Sequence, residues 1–162
     1  MTCSGKLRNM ASVYLLRDGQ ILLLHRKSGI AGGTWIASAG GHFEQSEVCD
    51  ARACALRELE EELGLTIDAL QNLSLRYVTL RRTKDELRQN YYFFAELIGQ
   101  EPAASTEGSL KWFSAAELDL SQMPFTAKFM LEHYLAIGRH TNSVYGGIAD
   151  GETVVFTELK AF

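Results

Sequence analysis

Alternating strand and helix signals along 162 residues predict an α/β domain, and more narrowly an α/β/α sandwich around a mixed β-sheet. Three observations lead there. Short apolar runs rich in β-branched and aromatic residues recur between polar turns, two longer stretches carry helical periodicity, and the length and composition (46% hydrophobic, 22% charged) are enough for a real core and too little for two substantial domains. The whole chain, 1–162, is therefore read as one domain, with 1–9 a polar lead-in that is expected to be poorly ordered.

The elements follow in order. Met10 to Leu16 and Ile21 to His25 alternate as strands around a turn at Arg17-Asp18-Gly19-Gln20, and Trp35 to Ala39 reads as another short strand. A helix is expected from about Asp50 to Leu63, where Leu56, Leu59 and Leu63 make an apolar stripe and Gly64 supplies a C-cap. Leu73 to Arg81 and Leu87 to Leu97 form a hairpin across Thr83-Lys84-Asp85-Glu86, the second arm carrying Tyr91-Tyr92-Phe93-Phe94. Leu110 to Phe113 is a strand, and Ser114-Ala115-Ala116-Glu117 a capping box. Thr126 to Ile137 is a helix with Phe129, Leu131, Tyr134 and Leu135 facing inward, and Thr153 to Thr157 a last strand.

The chemistry concentrates on the first helix. Glu58, Glu61 and Glu62 stand at i, i+3 and i+4, so their carboxylates share the side away from the leucines. Like charges so placed repel by a few tenths of a kcal/mol per pair, which a purely structural helix has no reason to accept. A divalent cation reverses the sign, and Mg²⁺ in particular takes oxygen ligands and bridges carboxylates to substrate phosphates. Glu60 points elsewhere. The alternative reading of the glutamates alone is a solvated acidic helix face.

The preceding segment decides between the two. Gly41, five residues, Glu47, then Arg57-Glu58-Leu59-Glu60-Glu61-Glu62-Leu63-Gly64-Leu65 resembles the Nudix box, G-x5-E-x7-R-E-U-x-E-E-x-G-U with U a bulky aliphatic residue. The chain departs from it by nine residues, Val48 to Leu56, where the box has seven, and by Ala39 where Pro-Gly-Gly is common. The extra pair is expected in the turn entering the helix, where it leaves the glutamate spacing intact and puts the register of Glu47 in question.

The resemblance implies a Nudix-like fold and Mg²⁺-dependent hydrolysis of a phosphoanhydride, with Mn²⁺ also fitting. It makes Glu58 and Glu62 the main metal ligands and Glu61 a further or water-mediated one, and it has Arg57 fix the loop by pairing with Glu47 or Glu44. Gly41 would admit close backbone approach. A general base is often recruited from a loop, and Glu107, just before the Trp112-bearing strand, is the candidate, with Glu61 the competitor. Arg26, leaving the second strand, would meet phosphate, while Trp35 would pack under the loop. Asn90, Tyr92, Phe94 and Phe125 could read a base, although alternation on a strand gives Tyr92 and Phe94 an ordinary core role.

Among substrates, an ADP-ribose type proline about 15 residues beyond the box is missing, as is a tyrosine near Arg82-Thr83 for dinucleoside polyphosphates and the coenzyme A pattern. By elimination the substrate is a nucleoside triphosphate, including one with an oxidised purine. Two other classes share the fold. A non-hydrolytic nucleotide-binding regulatory module typically loses the box glutamates, and an isoprenoid-diphosphate isomerase needs a catalytic cysteine, for which Cys49 and Cys54 are wrongly placed. These two are read as small helix residues, and with Cys3 they suggest neither a disulfide framework nor a zinc site.

Net charge of −4 argues against polymeric nucleic acid as a partner and leaves a small anionic nucleotide. No secretory signal or long apolar run is present, so the expectation is a soluble, cytoplasmic protein without a membrane partner, compatible with a homodimer.

Overall fold

The computed structural model describes residues 5–29 and 31–160. Among them, one mixed sheet collects β1 (Lys6–Arg17), β2 (Gln20–Arg26), β3 (Trp35–Ile36), β4 (Ala39–His42), β5 (Leu70–Thr83), β6 (Glu86–Leu97), β7 (Gly108–Ser114), β8 (Val144–Ala149) and β9 (Val154–Leu159). Its order is β3-β2-β1-β6-β5-β8-β9, with β4 also pairing β1 and β7 also pairing β2. The β1–β6 and β5–β8 ladders are parallel and the others antiparallel.

Two α-helices, α1 (Ala51–Leu63) and α2 (Phe125–Ala136), cover opposite faces. Successive residues of a strand point to opposite sides, and β1 shows it. Ala11, Val13 and Leu15 join Leu59 and Leu63 of α1 in one core, and Tyr14 joins Met130, Leu131 and Tyr134 of α2 in the other. This is the expected α/β/α sandwich. No helix among the described residues is long and apolar enough to cross a membrane.

Several boundaries differ from expectation for physical reasons. Lys6 to Asn9 are not a loose lead-in: they continue β1 along β6, with Lys6 opposite Glu86 and Asn9 opposite Gln89. Residues 1–4, Cys3 among them, lie outside the described residues. The expected strand Trp35 to Ala39 is split into β3 and β4, and β4 carries Gly40 and Gly41 into the β1 ladder, so the glycines of the box sit in a strand. Phe129 is half-buried and stacks edge-on with Phe125, and Met130 takes the inward position. Strand β8 escapes sequence reading because Gly146 and Gly147 dilute its β signal.

Arg76 on β5 is buried and ties the sheet to the α2–β8 connection, its guanidinium donating to the carbonyls of Gly138 (2.6 Å), Thr141 (2.6 Å) and Ser143 (3.2 Å).

Candidate active site

Helix α1 begins where the sequence permits. Asp50 caps it by accepting from the Ala53 N–H at 3.0 Å, and Gly64 ends it in the left-handed region at φ 65°. Ahead of it, Gln45 to Glu47 form a short 3-10 turn, and Val48 and Cys49 bridge to the cap with Cys49 at φ 74°. Glu47 therefore lies outside α1, separated from it by the turn of Val48, Cys49 and Asp50. Cys49 is exposed there and is not a helix residue, whereas Cys54 is a buried one.

Arg57 organises the segment. Its Nε and Nη2 grip the two Glu47 oxygens at 2.6 and 3.1 Å, Nη1 reaches Glu58 at 2.8 Å and Glu61 at 3.0 Å, and Nη2 also donates to the His42 carbonyl at 3.0 Å. Glu44 stands farther off, at 3.9 Å. The guanidinium holds the buried Glu47 carboxyl down at about 2, and the acids in turn raise Arg57 above its ordinary value. One forked cation thus joins β4, the 3-10 turn and α1.

The three glutamates occupy different surroundings. Glu58 is 8% exposed and lies against Gly41, where a Cβ would run into its carboxylate; burial raises its pKa against the opposing pull of Arg57. Glu62 accepts from the Gly40 N–H at 3.2 Å, and its pKa is pushed up to about 7, first by burial and then by the charge of Glu107. Glu61 is exposed and held aside by Arg57. A Cβ on Gly40 would meet the Ala11 carbonyl oxygen at 2.6 Å, so both glycines are demanded by packing.

Glu62 and Glu107 open into a cleft of about 440 Å³ between the sheet and the start of α2. Arg26 and Asn90 line it as well. Asn90 donates from Nδ2 to the Tyr92 hydroxyl at 3.1 Å, while its buried Oδ1 has no partner among the described residues. Tyr92 belongs to the core and shows only an edge, and Phe94 is core alone. Phe125 is not part of the wall. Pro124, Thr126 and Ala127 form it, and Phe125 lies instead under the Arg81 guanidinium at 4.4 Å. Trp35 packs on His25 and Phe113, away from the glycines.

Sequence reading missed Arg8, Arg81 and Arg88, which also line the cleft. The signal was present, because Arg88 extends the alternation of Asn90 and Tyr92 by one more step.

Among the described residues no trio of carboxylate, histidine or cysteine side chains already converges on one point. The donors nevertheless suit Mg²⁺, which uses one or two carboxylates and completes its shell with water and phosphate. Glu58 and Glu62 are hard oxygen donors crowded into a partly dry site, and the raised pKa of each marks negative charge that a cation would relieve.

The NUDIX domain profile matches residues 6–134. A curated relative from Danio rerio, "Oxidized purine nucleoside triphosphate hydrolase", is 33% identical over 112 residues, 68% of this chain and 69% of the relative. Among solved structures, a NUDIX hydrolase from Nitrosomonas europaea superimposes with a TM-score of 0.73 at 18% identity, covering 89% of this chain and 79% of that one. A MutT NUDIX hydrolase from Burkholderia pseudomallei gives 0.66 at 26% identity, covering 78% and 97%. With the box on α1, the sandwich fold and these matches in agreement, the chain belongs to the Nudix family of hydrolases.

Proposed function

We propose that the protein is a Mg²⁺-dependent pyrophosphohydrolase of nucleoside triphosphates, including those with an oxidised purine, and that Mn²⁺ can replace Mg²⁺. The observation that carries this reading is that Glu62 and Glu107, close enough for the charge of one to raise the pKa of the other, line a cleft large enough for a nucleotide. The curated name of the Danio rerio relative supports the triphosphate class.

Glu58 and Glu62 would hold the ion, with Glu61 a further ligand once it leaves Arg57. When bound, Mg²⁺ neutralises the phosphates and orients water for attack on phosphorus. Glu107 takes the proton from that water: it lines the cleft together with Glu62, whereas Glu61 does not line it and is paired to Arg57. Arg57 is a positioning residue that fixes α1 against β4. Arg26 binds phosphate, Gly41 leaves room for the Glu58 carboxylate, and Asn90 offers its free Oδ1 to a donor on the base edge. Phe125 acts through Arg81.

The other two classes of this fold fit less well. The box glutamates are all retained, against a binding-only module. Neither described cysteine lines the cleft, and burial pushes the Cys54 thiol up to about 12, against a cysteine-dependent isomerase. The test is release of pyrophosphate and nucleoside monophosphate from a panel of ordinary and oxidised triphosphates with and without Mg²⁺. Absence of metal-dependent release from every member would reject the proposal.

A further inference from the structure

The cleft wall away from Glu62 holds an unusual row of charge. Across the β1–β6 ladder Arg8 lies opposite Arg88, and across β6–β5 Arg88 lies opposite Arg81, so three arginines stand side by side on one face. All three are partly buried and all line the cleft. Like charges placed directly opposite destabilise a sheet, and here they occur twice in succession.

Compensation within the protein is thin. Glu86 is the one carboxylate near the row among the described residues, 3.8 Å from Arg8 and 3.3 Å from Arg88. Arg8 donates from Nε to His42 Nε2 at 2.5 Å, and an imidazole that accepts is uncharged. Arg81 has no carboxylate partner among the described residues and is braced on the Phe125 ring. Three guanidinium groups share one acid, in a chain whose net charge is −4.

The row is also remote from the chemistry. Ser12 faces Gly40, whose N–H meets Glu62, and Arg8 lies four residues earlier on β1, roughly 13 Å along the strand at about 3.3 Å per residue. Between the two ends lies the row of Met10, Asn90 and Thr79, where the unpartnered Asn90 Oδ1 sits. A nucleotide with its phosphoanhydride at Glu62 and its base edge at Asn90 lies along this same wall, and the arginines line the cleft beside it, open to a further group carried by its ribose.

We propose that Arg8, Arg88 and Arg81 form a second anion subsite, which takes a phosphate borne by the nucleotide away from the anhydride that is cleaved. The preferred substrate is then a nucleotide with an additional phosphate group, such as a phosphomonoester on its ribose. This deepens the hydrolase reading and rests on it for the position of the anhydride. Planar forked donors held in a row suit a phosphate oxygen set better than a single flexible lysine would.

The test separates the subsite from hydrolysis. Binding of nucleoside 3′,5′-bisphosphates is compared with that of the matching 5′-monophosphates of adenosine, guanosine, cytidine and uridine, by calorimetry on the intact protein in EDTA. In at least one series the bisphosphate is expected to bind about tenfold more tightly, with the advantage shrinking as salt rises. Arg88→Gln and Arg81→Gln should each bring the ratio toward one. Their folding is checked by thermal melting, and the wild-type ratio stands as evidence independently of either variant. The 2′,5′-bisphosphates and a dinucleoside tetraphosphate show whether a ribose phosphate or a second nucleotide supplies the anion.

No preference for the extra phosphate in any series would overturn the proposal, as would a preference that both variants retain. If the preference holds but no triphosphate is hydrolysed with Mg²⁺, the subsite stands and the hydrolase reading fails.

Discussion

Replacing Glu47 with alanine should destabilise the protein by about 2–4 kcal/mol, a figure set by which partners are lost and which remain. The Glu47 carboxylate accepts from Arg57 Nε at 2.6 Å and Nη2 at 3.1 Å, and from the Glu44 N–H at 2.9 Å. The two bonds to Arg57 are charge-assisted and largely shielded, with the Glu47 side chain 7% and the Arg57 side chain 21% exposed. The cost stays below that of stranding a buried charge, because Arg57 keeps Glu58, Glu61 and the His42 carbonyl. In a domain of this size the loss corresponds to a fall in Tm of roughly 5–15 °C at neutral pH. The sign with pH follows from the depressed pKa: the contribution of Glu47 is complete above its ordinary 4.5 and disappears as pH falls through about 2. The gap between wild type and variant in thermal melts followed by circular dichroism should therefore be full at pH 7 and roughly halved near pH 3. Equal melting temperatures at pH 7, or a gap of constant size down to pH 3, would refute the assignment of Arg57 and Glu47 as the clamp.

Glu62→Gln should lower kcat by on the order of 10²-fold or more with saturating Mg²⁺. The same change should abolish a stability loss that wild type shows in EDTA between about pH 4.5 and 7, since a carboxyl raised to about 7 favours folding most when protonated; melting curves across that range check it. Glu107→Gln should lower kcat with little change in KM and flatten the acidic limb of the pH profile, whereas Glu61→Gln, which removes a further metal ligand and not the base, should leave the acidic limb in place. Near-normal turnover of Glu107→Gln at every pH would transfer the base role elsewhere. Gly41→Ala should retain the fold by far-ultraviolet circular dichroism yet lose on the order of 10²-fold in activity, because the added methyl displaces the Glu58 carboxylate.

Helix α1 was legible because its evidence is local. The leucine stripe, the opposed glutamates and Gly64 all lie within one short segment, and the structure starts and ends the helix within a residue of expectation. The pairing of Arg57 with Glu47 could be read from the box for the same reason. Strand β4 was not, since Gly40 and Gly41 have no β preference; they are strand because β1 and the Glu58 carboxylate leave no space for a side chain. Phe129 looked like core by periodicity alone, yet Met130 has the buried position and Phe129 leans on Phe125. The arginine row needed register across three strands, which no single stretch of sequence contains, even though each arginine keeps the two-residue alternation of its own strand.

The hairpin of β8 and β9 follows α2 and lies beyond residues 6–134, the segment shared with the family profile, yet it changes the status of the cleft floor. With β8 bonded alongside β5, the strand that carries Thr79 and Arg81 is an interior strand, and the open edge of the sheet is moved out to β9. A chain ending after α2 would leave the backbone of β5 unpaired on one side and strip Arg76 of its carbonyl partners beyond the helix. The hairpin thus works as a selvedge: it keeps the fabric that bears the nucleotide wall from fraying or from pairing with a stranger's strand.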